Sequence, residues 1–212
     1  HAYWYVDNNS HVTREELRNA AEMFENQIYP KVTDVFGREW VPGIDNDDRI
    51  TILNTNLSGF AGYFSAADEY PKMIHPGSNE REMIYMNTGS FRVGSREYLS
   101  VLAHELQHAV HWNGDNTEET WVNEGLSEVA SFISGFQPTS SLHFIDDHNV
   151  SLLYWPTDSY RQPYYGGGFL FFNYLATHYG NYEDLKILVD EPLDGIIGID
   201  NYLERLGYTN TF

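Results

Sequence analysis

Strand-like apolar runs fall within the first 87 residues, with one helically spaced run among them, and helical spacing takes over afterwards, which predicts short strands followed by helices. Residues 2–7 are rich in aromatic and β-branched side chains and read as a strand. Thr13-Arg14-Glu15-Glu16 has the form of a capping box, and Leu17, Ala20, Ala21, Phe24 and Ile28 follow it at helical spacing, with Pro30 near that helix's end. Residues 49–54, 62–66 and 82–87 are further strand candidates, the first of them after an acidic turn. Ser95 is the expected N-cap of a long helix through Leu99, Leu102, Ala103, Leu106, Ala109 and Val110, stopped at Asn113-Gly114. Asn116 or Thr117 then caps a second helix through Trp121, Val122, Leu126, Val129 and Phe132, ending near Gly135. An irregular stretch to about Pro163 precedes helices over residues 168–178, 183–189 and 199–206. Strands first and helices later is the α+β pattern.

The 212 residues suffice for one domain, residues 1–212, with an N-terminal subdomain over 1–114 and a mostly helical C-terminal subdomain over 115–212. No apolar run approaches the roughly 20 residues that cross a bilayer. A net charge of −19 repels nucleic acid and anionic membranes, which removes both as expected partners. Cysteine is absent, so any metal must be held by His and carboxylates, and a Cys nucleophile is excluded. The chain starts at His1 and ends at Phe212 within what reads as a continuing segment, so it is expected to be a piece of a larger, secreted polypeptide.

The decisive segment is His104-Glu105-Leu106-Gln107-His108. Four residues advance a helix by about 400°, so both imidazoles lie on one face, one turn apart, and can converge on one zinc. Glu105 adjoins the first ligand, where it can take a proton from a zinc-bound water. Two His and a Glu in five residues recur by chance on solvated helices. Here Leu102, Ala103, Leu106, Ala109 and Val110 make most of the helix apolar, and buried ionisable groups need the compensation a metal provides.

A catalytic zinc takes a third protein ligand and keeps its fourth position open. Glu124, with fifteen residues between it and His108, would supply that ligand from the second helix, and Glu128, one turn on, could support a ligating His. The His104-Glu105-x-x-His108 and Asn123-Glu124-x-x-x-Glu128 motifs together resemble those of the gluzincin metallopeptidases, the group of thermolysin and aminopeptidase N. Residues 119–128, Glu-Thr-Trp-Val-Asn-Glu-Gly-Leu-Ser-Glu, look most like the hyicolysin family of bacterial peptidases. The resemblance implies a zincin-like α+β fold, with a mixed sheet backed by the active helix and a cleft between two subdomains. It also implies that Glu124 is the third ligand and that Glu128 stands behind the ligands. Residues 61–65 then correspond to the edge strand above the zinc, a place where an extended peptide can add by main-chain hydrogen bonds.

Other residues compete for these roles. His111 sits where a metzincin would carry a glycine, so it is assigned to packing or ligand support, and Asp115 is a minor rival third ligand. An oxyanion donor besides the metal is needed for peptide hydrolysis. Tyr164-Tyr165-Gly166-Gly167-Gly168 resembles the Tyr-x-x-Gly segment of aminopeptidase N relatives, which picks Tyr165, with Tyr164, His143, His148 and Tyr160 behind it. The acidic turn Asp45-Asn46-Asp47-Asp48 is a candidate for calcium, although it reads first as a solvated turn.

The expected function is therefore that of a monomeric zinc endopeptidase acting on proteins or peptides, with Zn2+ on His104, His108 and Glu124, Glu105 as base and Tyr165 as oxyanion donor. An aminopeptidase of the same architecture is one alternative, although the Gly-Ala-Met-Glu-Asn segment of those enzymes is missing. The other is a binding module without turnover.

Overall fold

The computed structural model describes every residue except Thr139, Asp158, Asn210 and Thr211. Among the described residues four strands form one sheet: β1 (Ala2–Val6), β2 (Ile50–Thr55), β3 (Gly62–Phe64) and β4 (Met83–Asn87). Their order is β1-β2-β4-β3; β1, β2 and β4 run parallel, and β3 is an antiparallel edge. β4, flanked by β2 on one side and β3 on the other, is buried at every position. Asn87, at its end, donates from its side-chain amide to the carbonyls of Leu57 and Phe60 and accepts from the Leu57 and Gly89 amides. Those bonds pin the loop that delivers the edge strand.

Helix α1 (Arg14–Met23) begins with the capping box expected at Thr13 and Glu16. Pro30 does not end it. The chain passes through a π-helical turn at Phe24–Ile28 and continues as α2 (Tyr29–Phe36), with Pro30 in that helix's first turn. Proline's missing N–H and fixed φ are tolerated in a first turn. Helix α3 (Arg96–Gly114) starts at Ser95, whose hydroxyl accepts from the Tyr98 amide at 3.2 Å, and it stops at Gly114 as expected. The Tyr98 hydroxyl donates to Asn54 of β2 at 2.6 Å in the buried core, which ties α3 to the sheet.

Beyond α3 the described residues hold helices only: α4 (Thr120–Ile133), α5 (Ser140–Asp146), α6 (Gln162–Tyr179), α7 (Lys186–Val189) and α8 (Gly195–Arg205). α4 starts later than Asn116 or Thr117. The amide and hydroxyl of Thr117 bond the Asp115 carboxylate instead, forming a turn, and Glu119 takes the N-cap position. The stretch expected to be irregular contains α5, and α6 begins six residues before Gly168, so the three glycines lie inside it. Their use is helix contact. A Cβ on Gly168 would stand 3.0 Å from the Gly125 Cα, and one on Gly125 would stand 2.6 Å from the Phe172 ring. This pair lets α4 and α6 approach more closely than alanines would.

The whole is α+β, with a small mixed sheet and about half of the chain helical, compatible with a zincin-like fold. Because Gly125 adjoins Glu124, Gly125→Ala tests how tightly α4 is seated. Overpacking by a methyl should cost about 1–3 kcal/mol, more than the roughly 1 kcal/mol that alanine gains in helix propensity. Denaturant unfolding should show a lower midpoint than the parent.

Candidate metal centre and active site

α3 and α4 lie side by side, and their facing turns carry the ionisable groups. His104 and Glu105 are nine-tenths buried or more, at 9% and 7% exposure. Nε2 of His104 stands 3.1 Å from Glu124 Oε2, and Nε2 of His108 stands 3.5 Å from the same oxygen. All three donor atoms lie within 4.8 Å of one another. Ligands about 2.0–2.1 Å from a tetrahedral centre are roughly 3.3–3.4 Å apart, so these two separations bracket what a shared zinc would impose. The two imidazoles meet almost edge to face, at an interplanar angle of 81°, so their Nε2 atoms approach one point from different directions.

The outer nitrogens are held as well. His104 Nδ1 lies 3.2 Å from Glu128 Oε1, and the other oxygen of Glu128 accepts from the Ser140 hydroxyl of α5. His108 Nδ1 is engaged by the Asn123 side-chain oxygen and by Ser127 Oγ at 3.1 Å. An acceptor at Nδ1 favours the tautomer whose Nε2 lone pair is free for a metal. The donor set and its outer contacts thus fit a zinc ion.

Charges in the site oppose one another strongly. Burial disfavours the charged form of His104, but Glu124 and Glu128 outweigh it and hold its pKa well above the usual histidine value. Burial likewise works against ionisation of Glu124, yet His108 and His104 pull its carboxyl far below the ordinary range. Glu105 goes the other way. Burial lifts its pKa, and the two histidines only partly offset the rise. Its Oε2 accepts from the Phe64 amide of β3 at 3.0 Å, so the edge strand fixes the expected base. That contact depends on Gly62, where a Cβ would stand 2.9 Å from the Val101 side chain of α3.

Tyr165 lies in the first turn of α6, with its ring 6.0 Å from that of His104 and edge-on to Trp155 at 4.9 Å. Burial, then the charges of Glu124, Glu105 and Glu128, raise its pKa, so the hydroxyl keeps its proton and can donate. Tyr164 packs instead against Tyr154 and Trp155. Tyr160 donates to Asp147 at 2.7 Å.

The rivals are placed elsewhere. Asp115 is outside the three-donor group and bonds Thr117. His111 is fully buried; burial and the His108 charge push it down to about 4, and Gln107 links it to Ser127 and so to His108. In the acidic turn, Asp45 and Asp47 accept from the backbone amides of Asp47 and Arg49, and Tyr3 donates to Asp47. Sequence reasoning gave no role to Asn123 or Ser127. Their signal was present, since both lie on α4 one turn apart, beside the turn that carries Glu124 and Glu128.

No family model matches the chain. A comparison with curated proteins finds a neutral metalloprotease, ShpI, of Staphylococcus hyicus, 25% identical over 232 aligned positions. The chain is similar to a metalloprotease. The alignment takes in 95% of this chain and 51% of the relative, so the chain spans about half the length of that metalloprotease. The aligned half takes in the residues of the His104, His108 and Glu124 group, which supports a zinc metallopeptidase.

Two substitutions check the centre. Elemental analysis should find one zinc per chain in the parent and almost none in Glu124→Ala. Glu128→Gln should keep the fold and weaken zinc binding by about 10–100-fold, the usual effect of losing an outer-shell partner.

Proposed function

We propose that the chain is a zinc endopeptidase of gluzincin type, with residues 1–212 forming its catalytic domain and unfolded or flexible protein segments as substrates. One observation carries this reading: two histidines of α3 and one glutamate of α4 converge on a single point, with a carboxyl beside them that the edge strand holds by its amide. The metalloprotease relative supports it. Zinc on His104, His108 and Glu124 would supply Lewis acidity toward a carbonyl oxygen and a water.

The chain's own groups supply the rest. An extended peptide adds to the free edge of β3, where main-chain bonds align it with little side-chain selectivity. Glu105 accepts the proton of the attacking water at a carboxylate oxygen and delivers it to the leaving amine nitrogen. Its raised pKa keeps it basic enough to accept and acidic enough to release. Tyr165 donates a hydrogen bond from its hydroxyl, keeping its proton, to the oxygen on which negative charge develops. Glu128 and Asn123 hold the two imidazoles in register and take no proton from substrate. No helix among the described residues is long and apolar enough to cross a membrane, and the acidic surface suits a secreted monomer.

Casein digestion with and without a chelator tests the reading; full activity after zinc removal would refute it. Glu105→Ala should retain zinc and lose hydrolysis by at least about 10²–10⁴-fold, the usual contribution of a positioned acid-base group. Tyr165→Phe keeps the ring and should cost kcat about 10²–10³-fold with little change in KM, as expected for a contact made in the transition state. Tyr164→Phe is the control for general disturbance of α6.

A further inference from the structure

Beside His108 the chain leaves a cavity of about 260 Å³, bounded by Phe64 of the edge strand, Trp112, Asp115 and Glu118. This is below the roughly 300–1,000 Å³ of sites that enclose a whole drug-sized molecule, and suits a single side chain. Its polar wall carries two carboxyl groups, Asp115 and Glu118, beside His108, Asn116 and Asn123. Asp115 is nine-tenths buried; its Oδ1 serves Thr117, while its Oδ2 is buried with no hydrogen-bond partner among the described residues. Glu118 accepts from the Gly195 amide at 2.8 Å, which leaves it fixed at the rim. Asp194 stands behind them, bonded to the Thr117 hydroxyl at 3.0 Å.

None of these three carboxylates takes part in an ion pair among the described residues. Burial, together with Asp115 and Asp194, pushes the Glu118 carboxyl up to about 7. Carboxyl groups crowded beside a cavity, one of them with an oxygen that no protein group partners, favour a cation as the cavity's occupant. A compact metal ion is the poorer occupant, because the only three-donor group close enough to share one, among the described residues, is His104, His108 and Glu124. An extended cation is the better one. A guanidinium or ammonium can reach separate carboxylates while its stem or plane lies on the faces of Trp112 and Phe64.

We propose that this cavity receives the positively charged group of a peptide substrate, so that Asp115 and Glu118 select chains carrying a cation beside the bond to be cleaved. The word substrate rests on the proteolytic reading above; the cation pocket does not. The charge has two sources, a basic side chain or a free α-amine, and the test separates them.

Isothermal titration of the full chain with Nα-acetyl-arginine amide, its uncharged isostere Nα-acetyl-citrulline amide, and alanine amide provides the measurement. The arginine derivative should bind at least about tenfold more tightly than the citrulline one, with the difference shrinking at high salt. That ratio should fall toward one in Glu118→Gln and, separately, in Asp115→Asn, each checked for folding by its melting curve. Alanine amide binding as tightly as the arginine derivative identifies an α-amine as the natural cation. Equal binding of arginine and citrulline derivatives, no measurable binding of the arginine derivative, or an arginine preference surviving in whichever variants fold overturns the proposal. Casein digestion by the same preparation reports on proteolysis independently, so the loss of either reading is visible without the other.

Discussion

One oxygen organises the centre. Glu124 Oε2 faces Nε2 of both His104 and His108, so a single carboxylate on α4 sets the distance and rotation of α4 against α3. Leaving three such groups buried without compensation would be costly. The neighbouring features read as consequences of keeping that oxygen in place. Gly125 and Gly168 draw α6 against α4. Ser140 of α5 grips the carboxylate that holds His104, and the side chains of Asn123 and Ser127 hold His108.

The edge strand meets this arrangement from the other side. Phe64 gives its amide to Glu105, and Phe64 itself stands in register with Ile84 of the buried strand β4. The sheet, through three residues of β3, therefore orients a carboxyl on a helix. Burial of Glu105 and Tyr165 raises the pKa of both. The same low-dielectric surroundings that make charge expensive there make any donor aimed at a developing negative charge more effective.

Much of this was readable from residue order because the relevant spacing is local. His104 and His108 are one helical turn apart, and Glu124 and Glu128 repeat that turn on the next helix, so period alone brings each pair to one face. Thr13 and Ser95 announced their helices through capping chemistry that acts within four residues. What stayed hidden depends on distant partners. Pro30 looks like a stop until a π-helical turn places it in a first turn. The glycines of α6 look like a loop because helix propensity disfavours them, and only distant partners explain them: Gly166 and Gly167 lie against Ser140 and Phe144 of α5, and Gly168 lies against Gly125 of α4. Thr117 is a good N-cap by type, but Asp115 and Asp194 use its hydroxyl instead. The acidic cavity could not be foreseen at all, since its walls come from β3, the end of α3 and the following turn.

The absence of cysteine gives the ligand triad a second importance. With no disulfide available, an ion shared by His104 and Glu124 would act as a staple, closing a loop of about 20 residues between α3 and α4. In the loop-entropy account a staple over a comparable span restricts the unfolded chain by about 3 kcal/mol, a sizeable share of the 5–15 kcal/mol by which folded domains usually persist. An ion held there would then also decide how long the helical hairpin carrying it survives, so that losing the ion and losing the fold would become linked events.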